Sequence, residues 1–317
     1  MVYGAHQAMA WRSPVTSVAK VAAVIVTYQP DTAQVERILQ ALEGEVDSIV
    51  LVDNGSSEVP EQRWRQHSAR LVVRRLAENK GIGAAQNEGV AVAKAAGATH
   101  VLLLDQDSLP AAGMVPVLLG AAQLLAERGV RVACVGPQRR RPDSEAVTGF
   151  TRLGWLGLRK IRCEDPTRPV ECDFVVASGS LIPLASWEQV GGMEVDLFID
   201  LVDTEWCLRA RAKGYGVYGT AAVLDHTIGE AGKRAPLLGL PRHKPFRYYY
   251  IFRNTMLLAR RPYVPLQVVV FQLGWLAALF LLVGVLRGGW SELRMMGRGA
   301  RDGLRGVTGK LATGAEH

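Results

Sequence analysis

The chain has 317 residues, 49% of them apolar, four cysteines and a formal net charge of +7. That length holds one large domain or two small ones with a real core, and that apolar share excludes a disordered chain. Cys134, Cys163, Cys172 and Cys207 stand at irregular spacings with no C-x-x-C pair, which argues against a zinc site or disulfide framework and for reduced, packed thiols in a cytosolic compartment.

Residues 1–20 carry Arg12, Pro14 and Lys20 but no apolar run long enough for a signal peptide, so the catalytic portion is expected to stay where it is made. Val21–Thr27 reads as a short β-rich strand and 32–42 has helical spacing. A second strand, 48–52, ends in Asp53-Asn54-Gly55-Ser56-Ser57. Residues 71–76 make a third, 87–96 a helix with Gly97 near its end, and 100–104 a fourth strand. Strands separated by helical stretches imply right-handed crossovers and a mostly parallel, doubly wound α/β sheet. Further on, 118–128 reads as a helix and 131–135 as a strand. The Arg-, Gly- and Pro-rich stretch 138–169 reads as a loop or hairpin excursion. β character resumes over 174–184, a charged helix covers 204–213, and 218–224 is again β-like. There is no internal repeat and no low-complexity tract.

The fourth strand carries the most informative feature. Val101-Leu102-Leu103-Leu104 is apolar throughout, as in a strand covered on both faces, and it ends in Asp105 and Asp107. Ligands of open α/β sheets bind outside the carboxyl ends of the strands. Hard oxygen ligands there suit Mg²⁺ or Mn²⁺ bridging to substrate phosphates. The plainer reading is an acidic turn that caps the next helix. Two other early strands end in Thr27-Tyr28 and Asp53-Asn54, so side chains there converge on one ligand. Tyr28 can stack on a base, Asp53 can accept from an imide N–H or a sugar hydroxyl, and Asn79 and Asn87 can bond further polar edges. As turn residues or caps they would be structural. Together they describe a nucleotide-diphosphate pocket closed by a metal.

A dinucleotide fold is the competing reading of the same region. Gly81-Ile82-Gly83 follows a strand and opens a helix, but the third glycine position holds Gln86, and the strand is the third in the chain rather than the first. The pattern falls short, and no Walker A motif is present.

A second acidic cluster comprises Asp200, Asp203 and Glu205. A carboxylate at Asp203 would sit at the positive end of a helix, which alone explains it structurally. A functional reading adds that one of the three removes a proton from an attacking hydroxyl. Glu205 and Arg209 are spaced i, i+4, so a helix salt bridge is the plain role of Glu205. Asp225-His226 ends the next β-like run, where a neutral imidazole can complete a divalent metal site.

From Ala231 to Arg261 there are eight Lys or Arg residues and no carboxylate. An apolar stretch, 264–286, follows directly and is long enough to span a bilayer, which takes about 20 residues. Arg287, Arg294, Arg298, Arg301 and Arg305 come after it. Basic residues at both ends leave a spanning orientation open, and a helix or hairpin lying in the cytoplasmic face fits as well. A buried helix ending a soluble domain is the alternative. Nucleic acid is not expected, since no helix-turn-helix, RNA-binding or finger signature accompanies the charge.

In this order, the strings VAAVIVTYQPD, IVLVDNGSS, ENKGIGAAQNEGV, HVLLLDQDS, VVASGSLIP, FIDLVDTEWCLRARAKGY and LDHTIGE resemble the inverting nucleotide-sugar glycosyltransferases of family 2, with the GT-A fold. Within that family they are similar to the bacterial rhamnosyltransferases that build O-antigen and related surface polysaccharides. The resemblance covers roughly 20–230. It implies a GT-A catalytic domain there, an N-terminal extension over 1–19, and a basic and apolar membrane-associating region over 231–317. It places a thymidine or uridine base near Thr27, Tyr28 and Asp53, and a metal, Mg²⁺ or Mn²⁺, with the diphosphate at Asp105 and Asp107, with His226 a further contact. Its general base aligns with Asp203, the second acid of the family's Glu-Asp pair. The first position of that pair is Val202 here, which keeps Asp200 and Glu205 as alternatives. Ser178, Gly179 and Trp206 would line the acceptor side. Arg253, with Arg247 and Asn254 around Tyr248-Tyr249-Tyr250, would hold the diphosphate of a polyprenyl-linked acceptor. The partners implied are a nucleotide-sugar donor, a glycan or lipid-linked glycan acceptor and the cytoplasmic membrane surface. A sugar-phosphate nucleotidyltransferase shares the fold type, but no Gly-rich, Lys/Arg-bearing loop follows the first strand. A catalytically silent membrane scaffold would require both acidic clusters to be dispensable. The sequence fixes no oligomeric state.

Overall fold

Seven apolar or small residues in succession, all buried, make β1 (Val21–Thr27) an interior strand of the sheet. The computed structural model describes residues 19–140, 146–154, 157–226, 243–285 and 289–311. Most of the expected N-terminal extension and all of the basic segment before His243 lie outside them.

Asp31 caps α1 (Thr32–Ala41), accepting from the amides of Ala33 and Gln34, and the helix buries Val35, Ile38 and Leu39 at i, i+3, i+4. After β2 (Ser48–Asp53), α2 (Glu61–Arg65) drives Trp64 into the core, and β3 (Leu71–Arg75) closes one edge of the sheet. Helix α3 (Ile82–Ala95) lies close on the sheet because its inner face is small: a Cβ on Gly89 would meet Val24 Cγ1 at 2.3 Å. It begins five residues before the periodicity at 87 suggests, since glycine and alanine carry little hydrophobic pattern.

β4 (His100–Asp105) and the short β5 (Ser108–Pro110) flank the Asp105–Asp107 turn. α4 (Met114–Glu127) then leads into β6 (Val132–Arg140), which runs five residues past its expected end at 135. β7 (Val147–Thr148) pairs with the end of β6, and β8 (Phe150–Gly154) and β9 (Gly157–Ile161) form the hairpin excursion expected within 138–169. β10 (Val170–Cys172) and β11 (Leu181–Pro183) are all the strand that 170–184 supplies. α5 (Leu184–Val190), a single turn of tighter helix over Val195–Leu197, α6 (Val202–Ala212) and β12 (Gly216–His226) complete the α/β body.

The sheet order is β10-β12-β6-β11-β4-β1-β2-β3. β4, β1, β2 and β3 are parallel, as are β6 and β12, but β11 runs antiparallel to both its neighbours and β10 antiparallel to β12. The sheet is therefore mixed, where the alternation of elements implies a mostly parallel one. The reversal comes from β11, three residues long, which returns directly from the turn at Gly179 with no helical crossover. One core packs α1, α2 and α4 on one face, and the other packs α3, α5 and α6 on the opposite face. The four cysteines are free and buried.

Three helices follow. α7 (Pro245–Leu258) packs on α9 (Trp290–Leu304), and its inner face touches the loop before α6. Between them runs α8 (Leu266–Leu279), continued by wider turns over Phe280–Val285. Leu266–Val283 is long and apolar enough to cross a bilayer, with a mean hydropathy of 2.2 and 22% of it buried. Leu266, Val270, Phe271, Trp275 and Leu281 are exposed.

Candidate active site

Parallel register sets the first half of the site. Thr27 pairs with Asp53 across β1 and β2, and Val26 with Asp105 across β1 and β4, so all three strand ends share one edge. Thr27 and Asp53 are buried, and among the described residues Thr27 Oγ1 and Asp53 Oδ1 have no hydrogen-bond partner. The other Asp53 oxygen accepts from the Ser56 amide at 3.0 Å. A buried acceptor left unpaired costs about 1–3 kcal/mol, so a polar ligand edge is the natural complement. Tyr28, 45% exposed, stands beside them. Its backbone is held by Gln106, whose Oε1 accepts from Tyr28 N at 2.7 Å while Nε2 donates to Tyr28 O at 3.2 Å. Gln106, the residue between the two aspartates, thus ties the acidic turn to the aromatic one.

Asn79 and Asn87 work on the backbone instead. Asn79 Oδ1 accepts from Gly81 N and from Asn54 Nδ2, and Asn54 Oδ1 accepts from Lys80 N. Asn87 exchanges both amide bonds with Met193, at 2.7 and 2.9 Å. Gly81 opens α3 at φ 88, and a Cβ there would lie 2.5 Å from Phe198 O. These bonds brace the walls of the site.

At the end of β4, Asp105 N donates to Ser178 Oγ at 2.9 Å, and Ser178 Oγ donates to the buried Ser108 Oγ at 2.8 Å. Ser178 is 2% exposed and is a latch on the acidic turn rather than an open acceptor contact. Gly179 N donates to Leu103 O, and a Cβ on Gly179 would strike Pro137. Desolvation, then the charges of Asp107 and Asp203, push the Asp105 carboxyl up to about 7, with Arg247 opposing. Burial is the largest of these causes, so the ionised carboxylate lacks solvation that a bound cation would replace.

Among the described residues no three His, Cys, Asp or Glu side chains converge as a metal site. Asp105 and Asp107 supply two hard carboxylates, which fits the few protein ligands Mg²⁺ takes beside substrate phosphates. His226 pairs with Ser108 through the backbone at the same turn, and its side chain lies outside the described residues.

The second acidic cluster separates its three members. Asp203, in the first turn of α6, accepts from Thr204 N at 2.7 Å and from Ala177 N at 3.3 Å. Burial raises its pKa above the ordinary carboxylate value, against the pull of those amides and of Arg139, and Asp200 adds to the rise. Asp200 accepts from Arg247 Nε and Nη2 at 3.0–3.2 Å. Burial works against the Arg247 charge, but Asp200, with Asp107 and Asp105 beyond it, outweighs burial and raises its pKa. Glu205 is fully buried and saturated by Arg209 and the Tyr263 hydroxyl. It takes the helix salt-bridge role and cannot reach an acceptor.

Two further expectations are corrected by burial. Trp206 is 1% exposed, donates to Gly191 O and stacks on Trp187, so it is core. Arg253 is 0% exposed and spends its guanidinium on Gly309 O, Asp196 O, Leu197 O and Asn254 Oδ1. Neither side chain meets solvent where an acceptor could touch it.

Arg139 was not anticipated. It is the last residue but one of β6, where desolvation lowers its pKa and the Asp203 charge supports it. The rule that strand ends carry the ligand would have found it, had the strand been read past Val135.

The loop into α6 is strained. Phe198 (φ 62), Asp200 (φ 63) and Leu201 (φ 63) all have positive φ without being glycine. Such residues cost about 1–3 kcal/mol each and persist where surroundings over-determine them, most often at functional sites.

Comparison with known proteins gives this arrangement its context. Residues 23–175 match the model of glycosyl transferase family 2. The dTDP-rhamnosyl transferase RfbF of Shigella flexneri is 28% identical over 291 residues, covering 90% of this chain and 96% of that protein. An N-acetylglucosaminyl-diphospho-decaprenol L-rhamnosyltransferase of Mycobacterium tuberculosis is 27% identical over 260 residues, 72% of this chain and 82% of that one. The fold is similar to that of S. aureus TarS 1-349 in complex with UDP-GlcNAc, with a TM-score of 0.55 at 14% identity over 91% of this chain and 81% of that one.

Proposed function

From the premise that residues 23–175 are a glycosyl transferase family 2 domain and the chain a glycosyltransferase, we propose that it moves L-rhamnose from dTDP-L-rhamnose to a glycan hydroxyl, with inversion. The acceptor in this reading is a glycan on a polyprenyl diphosphate, and the product a cell-surface polysaccharide. The observation that carries it is the single edge that holds unpartnered Thr27 Oγ1 and Asp53 Oδ1 together with the mutually repelling Asp105, Asp107 and Asp203. A nucleobase satisfies the first pair, a diphosphate with its cation the second, and a proton donor the third. The two rhamnosyltransferase relatives support the sugar, and the decaprenol-linked one supports the acceptor.

In this reading Asp53 Oδ1 accepts the imide N–H of thymine and the Tyr28 ring covers the base. Asp105 and Asp107 hold Mg²⁺ or Mn²⁺, which when bound supplies positive charge to the departing nucleoside diphosphate. Arg247 adds a fixed cation on the same side. Asp203 takes the proton of the acceptor hydroxyl as its oxygen bonds to the anomeric carbon. The bond from that carbon to the phosphate oxygen breaks with its electron pair, releasing dTDP. Its raised pKa makes Asp203 a stronger base than an ordinary carboxylate.

The exposed apolar side of α8, preceded in the chain by Arg260 and Arg261 and followed by the arginines of α9, supports a seat at the cytoplasmic face of the membrane, peripheral or anchored through 264–286. A lipid-borne acceptor would be presented there.

The test is transfer by the full-length protein to a lipid-diphosphate-linked N-acetylglucosamine from a panel of nucleotide sugars, with Mg²⁺, with Mn²⁺ and with chelator. Metal-dependent transfer from dTDP-rhamnose alone is expected. Transfer from another donor would overturn the rhamnose assignment, and undiminished transfer under chelator would overturn the metal.

A further inference from the structure

Beside Arg247, α7 meets the loop that leads to the catalytic edge through a side-chain amide. Leu197 O accepts from Ile199 N at 2.7 Å, closing a γ-turn on Phe198 at φ 62 and ψ −60. Turns of this hand are rare and strained. Asp200 and Leu201 follow at positive φ, and Leu201 is the N-cap of α6. Two residues later comes Asp203. The direction of its side chain is therefore set by backbone angles that the sequence would not adopt unaided.

Asn254 of α7 holds those angles. Its Nδ2 donates to Leu197 O at 3.0 Å, Ile199 O at 2.7 Å and Asp200 O at 2.9 Å. Its Oδ1 accepts from Arg253 Nε at 2.9 Å, which fixes the amide with its hydrogens toward the loop. Arg253 Nη2 adds bonds to Leu197 O at 2.8 Å and Asp196 O at 3.2 Å. Both side chains are 0% exposed. From the nucleotide side Ile82 N donates to Phe198 O at 2.8 Å, so the loop is gripped between α3 and α7.

A loop needed only to join α5 to α6 could relax and leave no polar pair buried for its sake. The burial of an arginine and an asparagine against carbonyls, for the sake of a strained turn, points to a geometry kept for chemistry. We propose that Asn254 is a positioning residue for sugar transfer, which orients Asp200 and Asp203 by holding the carbonyls of 197, 199 and 200. The helical region after the α/β body is then part of the active site as well as a membrane contact. The inference rests on Asp203 being the base.

The test uses the full chain with Asn254→Ala and Asn254→Ser, beside wild type and Asp203→Ala. In Asn254→Ala, kcat is expected to fall about 100-fold, the scale of a misplacement near 1 Å. KM for donor and acceptor should stay within about threefold, and donor titration should still give one site per chain with unchanged Kd. Asn254→Ser, which keeps one donor, should fall between it and wild type, and decides the matter if the alanine variant does not fold. A variant that binds donor normally and keeps kcat within about threefold of wild type would overturn the proposal. So would a loss of kcat matched by an equal loss of donor sites, which marks a merely structural role. Wild-type transfer that survives Asp203→Ala would overturn the base assignment itself, a separate result.

Discussion

Arg247 holds the Asp200 carboxylate through both Nε and Nη2, at 3.0–3.2 Å, and its charge reaches Asp105 and Asp107 as well. One guanidinium from α7 thus balances carboxylates from two separate clusters. Arg247→Met keeps most of the packing and removes the charge. The expected result is a fall of about 10- to 100-fold in kcat/KM for the nucleotide sugar, equivalent to about 1.4–2.7 kcal/mol. Steady-state kinetics at saturating acceptor reads it, and an unchanged kcat/KM would mean that Arg247 only secures the loop.

Asp203 and Glu205 stand two residues apart and should fail in different ways. Asp203→Asn removes the proposed base while keeping its shape, so transfer should fall by about 100- to 10,000-fold with donor Kd unchanged. Glu205→Gln breaks a buried pair with Arg209 and leaves the cation unbalanced, at a cost of about 3–5 kcal/mol in stability. The folded fraction should keep kcat within a few-fold. Thermal melting beside turnover separates the two, and a stable but inactive Glu205→Gln would reverse the assignment.

The parts legible in the sequence were those in which a local pattern and the tertiary role agree. Apolar runs ending in Thr27, Asp53 and Asp105 announced buried strands with polar ends, and the sheet does bring those ends to one edge. What escaped depended on chain segments far apart. Asn87 looks like a ligand contact, yet its partner is Met193, 106 positions away. Arg253 has the look of a phosphate binder in a basic run, and only its burial against 196–197 shows that it serves the backbone. Strain at Phe198 and Asp200 has no sequence signal, because neither is the glycine that positive φ favours.

The raised pKa of Asp105 predicts a pH dependence of stability with a definite sign. In the unfolded chain the carboxyl titrates near its model value of 3.8, and in the folded protein near 7. Between those values the folded state binds the extra proton, so its stability falls as pH rises through the window and levels off above about 7. The metal-free protein should melt progressively lower from pH 5 to pH 8. Asp105→Asn should flatten that slope. Mn²⁺ should raise the melting temperature more at pH 8 than at pH 5, since only the ionised carboxylate binds it well. A slope identical in Asp105→Asn would show that the dependence comes from other groups.

The exposed side of α8 predicts where the protein sits. Val270 is 60% exposed and Phe271 49%, on a helix whose buried residues are Val268, Leu276 and Leu279. Charges placed on the open side leave the packed side intact. Val270→Glu with Phe271→Glu should therefore melt within about 2 °C of wild type, as surface changes of ±0.5 kcal/mol do in a chain of this size. In flotation with vesicles containing anionic lipid, wild type should float and the double variant should stay in the dense fraction. High salt should weaken wild-type flotation only in part, because it screens the arginines and leaves the apolar contact. Equal flotation of both proteins would place the membrane contact elsewhere, and flotation of neither would remove it. Transfer to a short, water-soluble acceptor should be unaffected by the double variant, since both side chains face solvent and the packed side of α8 is unchanged.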